Sequence, residues 1–137
     1  MIIDNKNISV KKLKIFTNSK GNVFLCYKEK VIDKKIKIKE IYFTEIKYKK
    51  IKGWIKHKKI SCNFVVPVGR IKFMFLDEKK KKITKIIVGK NNYRRISVPK
   101  NIWFAFEGLA KPISLVVNYL DKINDNNDVL KKKFTNL

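Results

Sequence analysis

The stretch Lys52-Gly53-Trp54-Ile55-Lys56-His57-Lys58-Lys59 carries the only histidine of the 137-residue chain. An imidazole takes up and returns protons near neutral pH more readily than any other side chain, so His57 is the first candidate for chemistry. Residues two apart on a strand face the same way, which puts Ile55, His57 and Lys59 on one face and Trp54, Lys56 and Lys58 on the other. If the face of Ile55 lines a core, His57 points inward with it. Cys26 and Cys62 stand far apart, with no CxxC pair and no second histidine. Neither a disulfide framework nor a zinc site is therefore indicated, and reduced thiols are expected. Tyr93, Arg94 and Arg95 form a basic aromatic cluster that reads as a solvated strand edge.

The elements that must position these residues have a period of two. IKIKEIYF (36–43) alternates apolar and charged residues, GRIKFMFLD (69–77) runs from a glycine to a charged turn, and KITKIIVG (82–89) ends on a second glycine. Further strands are expected over 8–16, 23–28, 54–66, 93–98, 102–109 and 114–120. Turn residues separate them at short intervals, at 18–22, 78–81, 90–92 and 99–101. Many short strands of this kind predict an all-β sandwich or barrel made of a single domain over 1–137. After Asp121 the chain turns polar, with one short helical turn expected from Asp128 onward and the tail packed outside the barrel.

The formal charge of +23 and a pI near 10.1 suggest by themselves a partner made of phosphates. The kind of cation argues otherwise. Of 34 basic residues only Arg70, Arg94 and Arg95 are arginine, and lysines spread evenly along a chain are commonly a solvated face. Nucleic-acid readers lean on arginine for bidentate contacts, and the aromatic runs FMFL and IWFAF read as buried rather than as exposed stacking platforms. No apolar run approaches the ~20 residues of a membrane helix, and the N-terminus lacks the apolar centre of a signal peptide. A cytoplasmic protein without membrane contact is expected.

Several segments together carry a resemblance. EIYF (40–43), KGWIKHKK (52–59), NFVVPVGRIKFMFLD (63–77), VPKNIWFAFEGL (98–109) and SLVVNY (114–119) resemble the RmlC-like cupins, namely the dTDP-4-dehydrorhamnose 3,5-epimerases and dTDP-4-keto-6-deoxyhexose 3,4-ketoisomerases. NSKG (18–21) is similar to their early Asp-x-Arg-Gly turn. The resemblance implies a cupin jelly-roll β-barrel with a short C-terminal tail, a homodimer joined through N-terminal strands, and chemistry without metal or other cofactor. That chemistry removes a proton next to the keto group of a nucleotide-diphosphate sugar and returns it on another face or carbon.

Carried over by position, the resemblance makes His57 the second member of the ketoisomerases' His-x-His pair, while Ile55 replaces the first and also the epimerases' base. Phe104 replaces a further family histidine. The family tyrosine falls on Val117, with Tyr119 two residues on, so Tyr119 and Tyr42 are the candidate proton partners of His57. Lys20 and Lys52 stand where the family places phosphate-contacting arginines. Asn63 is a candidate hydrogen-bonding group inside the barrel, and Trp103 a candidate platform for a base or sugar.

Three functions follow from different classes. The first is a carbohydrate isomerase or epimerase using His57. The second is a catalytically silent cupin that binds a sugar nucleotide or a protein, suggested by Ile55 and Phe104. The third and weakest is a basic barrel that binds nucleic acid.

Overall fold

The computed structural model describes residues 2–3, 7–29 and 36–135. It contains strands β1 (Ile2–Ile3), β2 (Ile8–Lys12), β3 (Ile15–Phe16), β4 (Val23–Phe24), β5 (Glu40–Lys47), β6 (Ile51–His57), β7 (Cys62–Val68), β8 (Arg70–Asp77), β9 (Lys82–Gly89), β10 (Arg94–Val98), β11 (Trp103–Gly108), β12 (Ile113–Leu120) and β13 (Val129–Lys131). The only helical element among the described residues is a single 3-10 turn, Asn126–Asp128. The strands form two facing antiparallel sheets, one ordered β1-β2-β10-β7-β12-β5 and the other β13-β6-β11-β8-β9, with a small β3-β4 hairpin outside them. This is the jelly-roll arrangement of a cupin.

Two of the expected strands are interrupted and two are shorter than expected. The segment read as one strand over 54–66 is two, because the chain crosses from one sheet to the other between His57 and Cys62. At that corner the backbone N–H of Lys59 donates to Asp128 Oδ1 (2.7 Å) and that of Ser61 to Asp121 Oδ1 (2.8 Å). Carboxylates supply the acceptors that a neighbouring strand would otherwise provide. The strand expected over 8–16 breaks after Lys12, and that over 23–28 ends at Phe24. The strand expected from Ile36 begins at Glu40.

Alternation divides each sheet into an inner and an outer face. Phe64 and Val66 of β7, Ile96 and Val98 of β10, Phe73 and Phe75 of β8, and Phe104 and Phe106 of β11 all enter the core between the sheets. At its centre Phe64 lies 5.1 Å from Phe73 and 5.2 Å from Phe104, centroid to centroid. Such aromatic contacts add to the burial that holds sandwiched sheets together. The outer face of the six-stranded sheet, with Leu13, Val65, Tyr93, Val117 and Tyr119, is covered by Ile15, Phe24 and Tyr27 from the hairpin segment. The outer face of the five-stranded sheet, with Trp54, Met74, Leu76 and Ala105, is covered by Phe134 of the tail, whose ring stacks on Trp54 at 5.2 Å.

The tail therefore does more than pack outside the barrel. Its β13 pairs antiparallel with β6, Val129 opposite His57 and Lys131 opposite Ile55, and so extends the sheet. The last two tail residues, 136–137, lie outside the described residues.

Candidate active site

His57 closes β6, and its parity is set by a bulge. The register between β6 and β11 pairs Ile55 with Phe104 but Gly53 with Ala105, so Trp54 is the extra residue. Glycine is required there. Gly53 has φ +125°, and a Cβ on it would sit 2.6 Å from Ala105 Cβ and 2.8 Å from the Phe104 carbonyl oxygen. The bulge has two effects. Ile55 and His57 stay on the core side, where Ile55 packs against the inner cluster and His57 stacks on Phe104 at 6.2 Å and 19°. Lys52 also swings to the core side, because its register partner Phe106 is an inner-face residue. Simple alternation without a bulge would have turned Lys52 away from His57.

The opposite wall of the site is the inner face of β5. Ile46 is buried in the inner cluster, and Thr44, Tyr42 and Glu40 follow it by alternation. Their register partners on β12 are Ser114, Val116, Asn118 and Leu120, of which Val116 and Leu120 are inner-core residues. The side of the barrel where β5 faces β6 is therefore where inward polar side chains collect, with Glu40, Tyr42, Thr44 and Asn118 on one wall and Lys52 and His57 on the other. Elsewhere the space between the sheets is filled with aliphatic and aromatic groups. An open groove lies where β5 turns into β6, lined by residues 43–47, 50–52 and Ile113; it includes Lys52 but is not lined by His57 or Tyr42.

The tail closes one end of the seam. Asn124 donates its backbone N–H to Glu40 Oε1 on one wall, and Asp128 reaches His57 on the other. Asp128 Oδ2 lies 3.2 Å from His57 Nδ1, with the two side chains 4% and 11% exposed. A carboxylate can only accept, so Nδ1 carries the proton in this contact and Nε2 keeps the lone pair. The ring is held from three sides, by Asp128, by Phe104, and through its backbone carbonyl, which accepts from Asn101 N–H at 2.7 Å. This suits a base whose reactive nitrogen must be fixed in one orientation.

Two other ionisable groups face the same region. Desolvation, with the hydrogen bond and charge of Glu40, pushes the Tyr42 phenol above its ordinary value, so it remains a proton donor at neutral pH. Cys62 opens β7 on the inner face, and burial pushes its thiol up to about 12, with Asp121 and Asp128 adding in the same direction against Asn118. A thiol held in that form is neither nucleophile nor metal ligand. Among the described residues no group of three or more His, Cys, Asp or Glu is placed to hold a metal ion.

Four expected site residues are elsewhere. Tyr119 shares a face with Val117, but it is the outer face of the six-stranded sheet, where its hydroxyl donates to the Cys26 carbonyl at 3.1 Å. Burial pushes that phenol far up, and the sheet separates it from His57. Asn63 also points outward, since Phe64 next to it points in. It donates to the Tyr119 carbonyl at 3.2 Å and accepts from Ser97 Oγ at 2.7 Å. Trp103 lies on the outer face of the other sheet, between the ammonium groups of Lys56 (5.1 Å) and Lys132 (4.6 Å), and donates to Glu78 at 2.9 Å. Lys20 is in the exposed hairpin turn, where its backbone N–H donates to Asn18 Oδ1. His57, Tyr42 and Lys52 are the expected residues that the fold brings to the seam.

Asp128, Asn118 and Glu40 are the site residues that sequence reasoning missed. Asp128 is 71 positions from His57. The one available signal was its place in NDNND, an acidic cluster rare in a chain with 11 acids against 34 bases.

Comparison with known proteins bears on the fold and the family. Residues 6–135 match the family model described as "FdtA: WxcM-like, C-terminal". The curated protein described as a "Probable low-salt glycan biosynthesis epimerase Agl13", from Haloferax volcanii, is 21% identical over 128 residues, which are 89% of this chain and 82% of that one. A dTDP sugar isomerase from Desulfovibrio desulfuricans superposes with TM-score 0.85 at 22% identity, covering 93% of this chain and 85% of its own. QdtA, a sugar 3,4-ketoisomerase from Thermoanaerobacterium thermosaccharolyticum in complex with TDP, superposes with TM-score 0.76 at 16% identity, covering 93% and 90%. With the family model spanning nearly its whole length, the chain belongs to the FdtA family of WxcM-like C-terminal domains.

Proposed function

We propose that the protein is a metal-independent isomerase or epimerase of a nucleotide-linked 4-keto-6-deoxysugar, working in the cytoplasm in deoxysugar and surface-polysaccharide synthesis. The observation that carries this reading is His57, half-buried at the seam with Nδ1 on Asp128, which leaves Nε2 of the neutral ring as the basic nitrogen. The names of the relatives, a glycan biosynthesis epimerase and dTDP-sugar isomerases, support the substrate class.

In this reading Nε2 takes the proton from the carbon next to the C4 carbonyl. The C–H pair moves into a carbon–carbon double bond, and the carbonyl pair moves to oxygen. Tyr42, held protonated, donates a hydrogen bond to that oxygen, where charge develops. The imidazolium or the phenol then returns a proton to the other face of the same carbon; or C4 takes the proton, the C4 oxygen becomes a hydroxyl, and the C3 hydroxyl gives up its proton as its oxygen becomes the new keto group. Lys52 supplies a single positive charge for the diphosphate, without the bidentate fork of arginine. With Ile55 beside it, His57 serves as the sole base.

The experiment incubates the purified protein with dTDP- and UDP-linked 4-keto-6-deoxysugars and follows product by NMR. Movement of the keto group from C4 to C3, or inversion at C3 or C5, supports the proposal. Tight binding without any change in the sugar would favour the silent-binder reading instead.

We also propose a homodimer. β5 is the edge of its sheet, and Ile41 and Phe43 on its outer face are 56% and 73% exposed, with Val68 at 51%. Exposed apolar groups on a sheet edge are covered in a stable protein. Light scattering at moderate salt is expected to give twice the 16.2 kDa chain mass, and Phe43→Glu to shift it to the monomer. A monomer mass for the wild type at every concentration would refute this.

A further inference from the structure

We propose a second anion site, on the side of the six-stranded sheet facing away from the seam, that takes a small phosphate-bearing anion in the groove between β2, β10 and the β3-β4 hairpin. The groove is lined by Lys11, Lys12, Lys14, Lys28 and Arg95, with Leu13, Phe16 and Leu25 as its apolar wall. No acidic residue is among the described residues that line it.

Arg95 is 9% exposed, and its Nε has no hydrogen-bond partner in the protein. Its guanidinium lies 6.0 Å from the Tyr27 ring and also interacts with the Tyr119 hydroxyl, which leaves Nε itself without an acceptor. A buried guanidinium is costly unless an anion or a full set of acceptors meets it. Arg95 sits directly opposite Lys11 on β2, and both line the groove. A doubly or triply charged anion lying there supplies the acceptor that Arg95 Nε lacks, and arginine with flanking lysines is well suited to phosphate oxygens. Of the sequence cluster Tyr93-Arg94-Arg95, Arg95 alone lines the groove, while Arg94 Nε donates to Asn92 Oδ1 at 2.7 Å. Tyr93 is taken up by the hairpin, its hydroxyl donating to the Leu25 carbonyl at 2.8 Å.

The groove is independent of the seam, because it lies on the outer face of the six-stranded sheet, under the β3-β4 hairpin, and the seam on the inner face. The test uses the three arginines of the chain as reporters. Inorganic pyrophosphate is titrated into ¹⁵N-labelled full-length protein at 150 mM sodium chloride while the arginine Nε–Hε signals are followed. The Arg95 signal is expected to shift and saturate, while that of Arg70 stays in place. Lys14→Gln with Lys28→Gln, both at the groove rim, should weaken the response at least about tenfold. Lys79→Gln with Lys80→Gln in the β8-β9 turn should leave it unchanged. A parallel titration with UDP separates the sources: saturation at lower concentration than pyrophosphate identifies a nucleotide ligand, and equal concentrations identify the phosphates alone. An Arg95 signal that does not saturate, or that responds equally to both lysine pairs, would overturn the proposal, since the +23 charge would then be acting without a site.

Discussion

Replacing His57 by Asn is expected to lower the rate of sugar isomerisation by about 10²–10⁴-fold, the usual contribution of a positioned base, while leaving nucleotide affinity within a few-fold. Asn can occupy the space on Phe104 and still donate to Asp128, so fold and site shape are retained; what is lost is the lone pair on Nε2. The nucleotide is held in this account by Lys52 and the seam walls rather than by the imidazole. Asp128→Asn should give a smaller loss than His57→Asn, because Asp128 positions the ring without touching substrate. Its signature would be a fall in kcat with little change in KM, since the ring is no longer held in one orientation while the substrate contacts remain. Values of kcat and KM for the two variants check both statements. Equal activity of wild type and His57→Asn would remove the catalytic assignment.

Gly53→Ala is the second large effect, and it acts through the fold. Any Cβ at this position meets Ala105 Cα at 2.7 Å and the Phe104 carbonyl oxygen at 2.8 Å, both backbone atoms that cannot rotate away. The φ of +125° adds backbone strain for an L residue. Overpacking and strain together are expected to cost about 3 kcal/mol, a fall in Tm of roughly 10 °C for a domain of this size. Thermal unfolding followed by circular dichroism measures it. Surviving Gly53→Ala protein should also have lost affinity for the diphosphate, because the same bulge turns Lys52 toward the seam. A variant as stable as the wild type would show that the bulge does not need glycine.

Much of this architecture was legible in alternation alone. GRIKFMFLD and KITKIIVG became β8 and β9 almost as read, because a hairpin of two alternating strands is a local object. His57 was placed inward by parity with Ile55, and that holds. Parity fails as a guide where a residue is inserted or where the sheet's own orientation is unknown. The Gly53-Trp54 bulge reverses the face of Lys52 relative to simple alternation. Tyr119 does share a face with Val117, yet which face of β12 looks into the barrel depends on pairing with β7 and β5, including the irregularity between Leu115 and Val117. Nothing in SLVVNYL encodes that choice. Asn63 was misplaced for the same reason, one residue from the buried Phe64. Asp128 was invisible because its position depends on β13 pairing with β6 across some seventy residues, and a three-residue strand in a polar tail leaves no periodic trace.

The most direct test of the central claim, that His57 moves a proton next to a sugar keto group, is solvent exchange. The wild-type protein is mixed with dTDP-4-keto-6-deoxyglucose in deuterated water and the sugar protons are followed by NMR. The C3 proton signal is expected to disappear as deuterium enters, far faster than without protein, and His57→Asn is expected to abolish the acceleration. A C3 signal that persists at the uncatalysed rate with the wild-type protein, while the nucleotide is bound, would contradict it.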